Sequence, residues 1–225
     1  MKKVLVIAAH PDDEILGVGG TIVKHTRNGD EVHLLIVTDG SSAQYKNDDV
    51  EEILDKKKRE SCNAVEILGI KSVTYGGLPD MRLDVVPHIE VNAVIEKAIK
   101  EIQPEIVYTH FWGDVNLDHT RVYQSTLVAT RPTSEQCVKE VYCYYVPSST
   151  NWSPEIITTA FLPNVYVDIT EFEEIKLQAL ACYKTELRDF PHPRSLKYVH
   201  KQDEICGLQI GVAFAEPFIQ LRVIR

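Results

Sequence analysis

The chain has 225 residues, 44% hydrophobic and 25% charged, with a formal net charge of −9. That is the balance of a globular protein long enough to bury a core without cross-links, and its acidity argues against nucleic acid or an anionic membrane as partner. No apolar run reaches the length of a membrane span, and the five cysteines, none in a CxxC pair, argue against a disulfide scaffold or a four-cysteine zinc site.

Met1-Lys2-Lys3 followed by Val4-Leu5-Val6-Ile7 has the outline of a secretory leader. The apolar stretch is short, however, and runs straight into Ala8-Ala9-His10-Pro11-Asp12-Asp13-Glu14. Residues 3–9 are therefore predicted as a buried first strand of a cytoplasmic protein. A helix is expected over 14–28, stopped by Asn28-Gly29-Asp30, and a second strand over 31–38. The polar stretch 40–49 reads as a loop. Residues 50–68 follow as a charged helix with Val50, Ile53, Leu54, Ala64, Val65 and Leu68 as core positions. A third strand is expected over 71–75, with Gly76-Gly77-Leu78-Pro79-Asp80 as the loop after it. A helix over 87–102 begins with Pro87 near its first turn. A fourth strand spans 105–110, and a fourth helix 118–131. This alternation predicts an α/β protein with a Rossmann-like, mostly parallel sheet and helices on both faces, in a single domain over 1–225. Beyond 135 the pattern loosens into an irregular C-terminal third with further strands near 138–146, 164–169 and 218–224 and a helix near 171–184. The stretch 184–203, rich in Pro, His, Arg and Lys, is expected to cover the mouth of a site.

In such sheets ligands bind beyond the carboxyl ends of the strands. Four polar clusters fall there: His10/Asp12/Asp13, Asp39-Gly40, Asp80, and His110 to His119. A catalytic zinc usually has three protein ligands and one open position. His10 and Asp13 are close enough to grip one ion, and Asn116-Leu117-Asp118-His119 is the best source of the third ligand, His119. Asp12 cannot easily bind the same ion in the same way, which leaves it free to take a proton from water. The competing role for Asp12 is a helix N-cap. Gly17-Val18-Gly19-Gly20 raises a dinucleotide-binding alternative, but the third glycine of GxGxxG would fall on Ile22. The carboxylates before the helix also cancel the dipole that a pyrophosphate would use. The glycines are expected to permit close packing of the helix on the sheet.

The His10-Pro11-Asp12-Asp13-Glu14 motif, the GVGGT run at 17–21 and the distant Asp118-His119 pair together resemble the PIG-L/LmbE family of zinc-dependent N-acetylglucosaminyl deacetylases. Lys58-Arg59-Glu60, Gly77-Leu78-Pro79-Asp80, the stretch from Lys176 to Glu186, and Ala215-Glu216-Pro217-Phe218 extend the resemblance over most of the chain. The resemblance implies one zinc ion held by His10, Asp13 and His119, with Asp12 as general base and Arg59 and Asp80 contacting the sugar. A helix-surface ion pair for Arg59 and a turn-stabilising role for Asp80 are the competing roles. It also implies a small-molecule N-acetylated amino sugar or glycoconjugate as substrate and a homo-oligomer, trimer or hexamer.

One position departs from the family. Where many members carry a histidine three residues before the last ligand, this chain has Asn116, which can donate a hydrogen bond to an oxyanion but cannot shuttle a proton. Either Asp12 makes both proton transfers, or His110, His192 or His200 substitutes. The expected reaction is removal of an N-acetyl group to give acetate and a free amine, with selectivity carried by 40–49, 146–160 and 186–203. The rivals are a metal-free Rossmann-type nucleotide-binding protein and a non-catalytic sugar-binding module.

Overall fold

The computed structural model describes residues 1–40, 50–156 and 158–225, with the side chains of 50–53 left aside. The strands are β1 (Lys3–Ala8), β2 (Glu31–Thr38), β3 (Ser72–Leu78), β4 (Ile106–Thr109), β5 (Glu140–Tyr144), β6 (Val165–Asp168) and β7 (Ala215–Val223). The helices are α1 (Asp13–Arg27), α2 (Val50–Leu68), α3 (His88–Ile102), α4 (Leu117–Ala129), α5 (Glu173–Leu180) and α6 (Leu196–Ile210). The strands form one sheet in the order β3-β2-β1-β4-β5-β7-β6. The first five are parallel, and β7 runs antiparallel to both β5 and β6.

β1 is apolar at every position after Lys3 because it is covered on both sides. Val4, Val6 and Ala8 point into a core built with α1, α5 and the end of α2; Leu5 and Ile7 point into a second core built with α3 and α4. Gly17 allows α1 to approach the sheet: a Cβ there would fall within the ring of Tyr144 on β5. Three expectations need correction. Gly76, Gly77 and Leu78 continue β3 rather than forming a loop, and a Cβ on Gly76 would press on the Val37 carbonyl oxygen of the neighbouring strand, an approach only glycine permits. β7 begins at Ala215, ahead of the expected start. Residues 196–210 form a full helix, α6, which starts within the stretch 184–203 expected only as a cover and runs past its end. The expected loop at 40–49 lies, from residue 41 on, outside the described residues, as do the side chains of Val50 and Ile53.

Candidate metal centre and active-site cleft

β1 and β4 are neighbours where the strand order reverses, so the segments leaving their carboxyl ends meet in the crevice that such sheets offer to ligands. From β1 come His10 to Asp13. Asp12 takes the N-cap position of α1 with φ 111°, a left-handed conformation that costs a residue bearing a Cβ on the order of 1–3 kcal/mol. Its carboxylate makes no capping hydrogen bond. The N-cap alternative thus describes its backbone and not its side chain, which is 2% exposed.

From β4 and the start of α4 come His110, Asp114, Asn116, Asp118 and His119. His10 Nε2 lies 3.0 Å from Asp118 Oδ2 and 3.1 Å from Asp80 Oδ1, so its proton sits on Nε2 and the lone pair of Nδ1 faces the other way. His119 Nδ1 lies 3.1 Å from Asp114 Oδ2, which likewise frees the lone pair of Nε2. Those two acceptor nitrogens point at each other across 3.4 Å. Asp13 completes the triangle, with Oδ2 3.4 Å from His10 Nδ1 and Oδ1 3.4 Å from His119 Nε2. Lone pairs and a carboxylate cannot converge this way without a positive charge between them. Three edges of 3.4 Å match the edge of a tetrahedron whose bonds are about 2.0–2.1 Å, the Zn–N and Zn–O range. Asp13 Oδ1 is buried and has no hydrogen-bond partner among the described residues, as an atom reserved for a cation would be. These three residues form one of two groups able to hold a metal ion among the described residues; the other, His10 with Asp80 and Asp118, uses the nitrogen already engaged in hydrogen bonding.

Protons substitute for the cation in the bare protein. Burial opposes charge on His119, but Asp13 and Asp114 outweigh it and lift its pKa to about 9. His10 is raised likewise against burial, by Asp118, Asp13 and Asp80. Asp13, despite burial, is held well below the carboxylate range by His119, His110 and His10. Asp12 goes the opposite way: burial pushes it well above that range, and Arg194, with Nη1 3.6 Å from Oδ2, partly counters this.

The metal-binding group opens onto a cavity of about 420 Å³, within the range of small-ligand sites. Asp12, Asp80 and Asn116 border it, and residues 148–152 and 186–194 supply the facing wall. Asn116 caps α4: its Oδ1 accepts the Asp118 N–H at 2.9 Å, which commits Nδ2 to the donor side, where it meets Met81 Sδ at 3.7 Å. Asp80 is buried against His10 and still borders the cavity. Arg59 is not brought to the site. It is exposed on α2 and flanks Asp55, Lys58 and Cys62. Lys57, two residues earlier, reaches the cleft and pairs with Glu186 at 2.9 Å; positions two apart on a helix lie on opposite faces.

The three histidines offered as substitutes for the missing one also separate. His200 pairs with Glu173 at 2.7 Å and does not line the cleft. His110 is buried, accepts the Ala9 N–H on Nε2 at 2.8 Å, and is driven by burial down to about 4. His192 lines the cleft, but its Nδ1 accepts the Arg194 N–H at 3.0 Å. Burial and the two neighbouring arginines lower its pKa. Of the three, only His192 lines the cleft. Residues the sequence reading missed include Asp114 and Asp118, which orient the two histidines, and Arg194. Both aspartates stand within five residues of His119, the one local signal that was available.

A mostly parallel sheet that brings two histidines and a carboxylate together at its switch point, with a second buried carboxylate beside them, is a Rossmann-like fold with a site able to hold a metal ion. The PIG-L family, described as GlcNAc-PI de-N-acetylase, matches residues 5–130, and the chain belongs to that family. The uncharacterized deacetylase YaiS of Escherichia coli K12 is 31% identical over 193 residues, covering 82% of this chain and 91% of that protein. The solved structure of N,N'-diacetylchitobiose deacetylase from Pyrococcus horikoshii matches with a TM-score of 0.80 at 24% identity, over 98% of this chain and 84% of the other. The 4-carboxy-2-hydroxymuconate hydratase GalB from Pseudomonas putida KT2440 matches with a TM-score of 0.78 at 21% identity, over 100% and 99% of the two chains. The fold alone therefore does not choose between amide hydrolysis and hydration.

Proposed function

We propose that this chain, as a single domain, hydrolyses the N-acetyl group of an N-acetylglucosamine-type sugar or glycoconjugate, with one zinc ion held by His10, Asp13 and His119. The observation that carries the reading is the 3.4 Å triangle of two imidazole lone pairs and one carboxylate beside the buried, uncapped Asp12. The family match favours hydrolysis over hydration, and both GlcNAc-PI and diacetylchitobiose, named for the family and for a fold neighbour, carry the N-acetylglucosamine unit. A zinc ion in this pocket supplies Lewis acidity, which acidifies water and polarises the acetamide carbonyl.

The chain's own groups do the rest. Asp12 takes a proton from the attacking water as the new C–O bond forms. The Nδ2 of Asn116, pre-oriented by the cap, donates to the developing oxyanion. When the C–N bond breaks, the nitrogen recovers the proton from Asp12, and acetate and a free amine leave. The raised pKa of Asp12 suits the second half, because an ordinary carboxylic acid would be too reluctant to stay protonated near neutrality. Arg194 offsets burial and keeps the ionised form accessible for the first half.

Amine release from a panel of N-acylated sugars, with and without chelator, tests the reading. Activity should vanish with the metal and return on adding zinc; turnover indifferent to chelation would end it. The five free cysteines support a reducing, cytoplasmic setting, and among the described residues no helix is long and apolar enough to cross a membrane. Light scattering tests the trimeric or hexameric assembly.

A further inference from the structure

Halfway along α1 the helix backbone meets a carboxylate. Glu216, on β7, is buried, and its two oxygens accept two consecutive N–H groups of α1, Gly20 to Oε1 at 2.9 Å and Thr21 to Oε2 at 2.8 Å. Inside a helix such groups ordinarily turn to the carbonyls four residues back, here those of Leu16 and Gly17. A side chain that enters the ladder marks a joint. Ahead of it is the turn that carries Asp12 and Asp13; behind it is the body of the helix. The glycines admit the groups that hold this joint: a Cβ on Gly19 would fall on the Lys176 stem, and one on Gly20 would fall on Ile169. The run that fails as a dinucleotide fingerprint thus cradles a carboxylate of the chain itself.

Lys176 of α5 supplies the counter-charge, with Nζ 2.8 Å from Glu216 Oε1 and 2.7 Å from Asp203 Oδ2 on α6. Three elements of the C-terminal third therefore converge on one point of α1, and charge-assisted bonds of this kind are among the strong ones. Gly20 stands seven residues after Asp13, about 10 Å along the axis at 1.5 Å per residue. Glu216 therefore acts on the site through the helix. The need for a fixed helix lies at its start, where Asp12 holds a φ of 111°. Strained backbone persists only where its surroundings over-determine it.

We propose that Glu216 is a positioning residue for the hydrolysis: by holding the Gly20 and Thr21 N–H groups it sets where the first turn of α1 stands, and with it Asp12 and Asp13. This rests on the deacetylase reading. Glu216→Gln offers one acceptor oxygen in place of two and must release an N–H. Glu216→Asp keeps the charge against Lys176 and draws the oxygens back by one methylene. Asp203→Asn disturbs the same buried charges without touching α1. In cobalt-loaded protein the visible absorption should shift in both Glu216 variants and match wild type in Asp203→Asn. In metal-free protein, amide exchange over residues 13–21 should quicken at least tenfold more than in the rest of the chain. Per zinc-loaded molecule, kcat on an N-acetylated sugar should fall about 10- to 100-fold in both Glu216 variants, the cost of a small misplacement, with KM within about twofold; Asp203→Asn should stay within about twofold in both. A wild-type cobalt spectrum and kcat in Glu216→Asp would overturn the proposal and leave Glu216 a stabilising ion-pair partner, as would an equal loss in Asp203→Asn. Should Glu216→Gln fail to fold, Glu216→Asp carries the test. If the wild type hydrolyses no acetamido sugar, the deacetylase reading fails, and the cobalt spectrum and amide exchange still decide whether Glu216 places the turn.

Discussion

Asp114→Asn tests whether the metal pocket works by the proton–cation exchange that its geometry implies. In the metal-free protein His119 holds a proton up to about pH 9, and a cation must expel it. At pH 7 that proton costs metal binding about 3 kcal/mol, from roughly two pH units at about 1.4 kcal/mol each. Asp114 is one of the two carboxylates responsible, and its Oδ2 lies 3.1 Å from His119 Nδ1. Neutralising it lowers the His119 pKa and recovers much of this cost. It also loosens the orientation and basicity of the ligand, a loss of about 10- to 100-fold in affinity, or roughly 1.4–2.8 kcal/mol. At pH 7 the two effects nearly cancel. Above pH 9 His119 has no proton left to expel, and only the loss survives in the difference between the two proteins. Zinc affinity measured by competition with a chromophoric chelator should therefore rise with pH in both proteins, through His10 as well as His119. The variant should rise less steeply, equal the wild type within a few-fold at pH 7, and fall 10- to 100-fold behind at pH 9.5. Parallel pH curves for the two proteins would refute the exchange.

Asp12→Asn should leave zinc content unchanged while kcat falls by about 10²- to 10⁴-fold; metal loss in this variant would make Asp12 a ligand instead. Asn116→Asp keeps an oxygen to accept the Asp118 N–H, so thermal stability should hold while kcat drops by about 10²- to 10³-fold for want of the Nδ2 donor. Asn116→Ala should lose the same activity and a further ~1 kcal/mol of stability with the cap, and urea melts read the difference. Lys176 is buried with Nζ 2.7 Å from Asp203 Oδ2 and 2.8 Å from Glu216 Oε1. Lys176→Met should cost about 3–5 kcal/mol in a urea melt, because both carboxylates lose their counter-charge; a loss under 1 kcal/mol would show that they simply take up protons.

The first four strands and helices were legible from their apolar patterning, except the end of β3, where Gly76-Gly77 looks like a loop. β1 alternates between two cores without a polar break, and α1 opens on a motif and closes at Asn28-Gly29. α6 was hidden for the opposite reason. Its buried positions include Asp203 and Gly207 with Val199 and Cys206, so its inward stripe does not look apolar. Asp203 is tolerated there because Lys176 from α5 reaches it, a partner 27 residues away that no local pattern reveals. The site divides the same way. His10, Asp12, Asp13 and His119 stand out through their local density. Arg194 meets Asp12 only because the chain returns over the cleft after α5, held by Glu186 at 2.9 Å. Arg59 misled because a basic residue one position from Glu60 looks equivalent to its neighbours until the helix is turned and Lys57 faces the cleft.

The turn after β1 shows how this fold exchanges one ligand charge for the other. A helix starting at the carboxyl end of a central parallel strand presents free N–H groups and a positive dipole end, the usual cradle for phosphate. Here Asp13 and Glu14 fill the first turn of α1. Asp13 Oδ2 accepts the His10 N–H at 2.8 Å, and Glu14 Oε2 accepts the Asp12 N–H at 3.1 Å. The chain's own carboxylates thus occupy the place an anion would take. With the dipole neutralised, the net local charge becomes negative, and the pocket calls for a cation. Glu14 is kept from adding to that charge: burial lifts its pKa to about 7 although Tyr183 donates to Oε1 at 2.7 Å. The division of labour follows from the turn itself. Asp13 faces the histidines and stays ionised, Glu14 is turned inward and holds a proton readily, and the left-handed backbone at Asp12 leaves its carboxylate free beside the pocket.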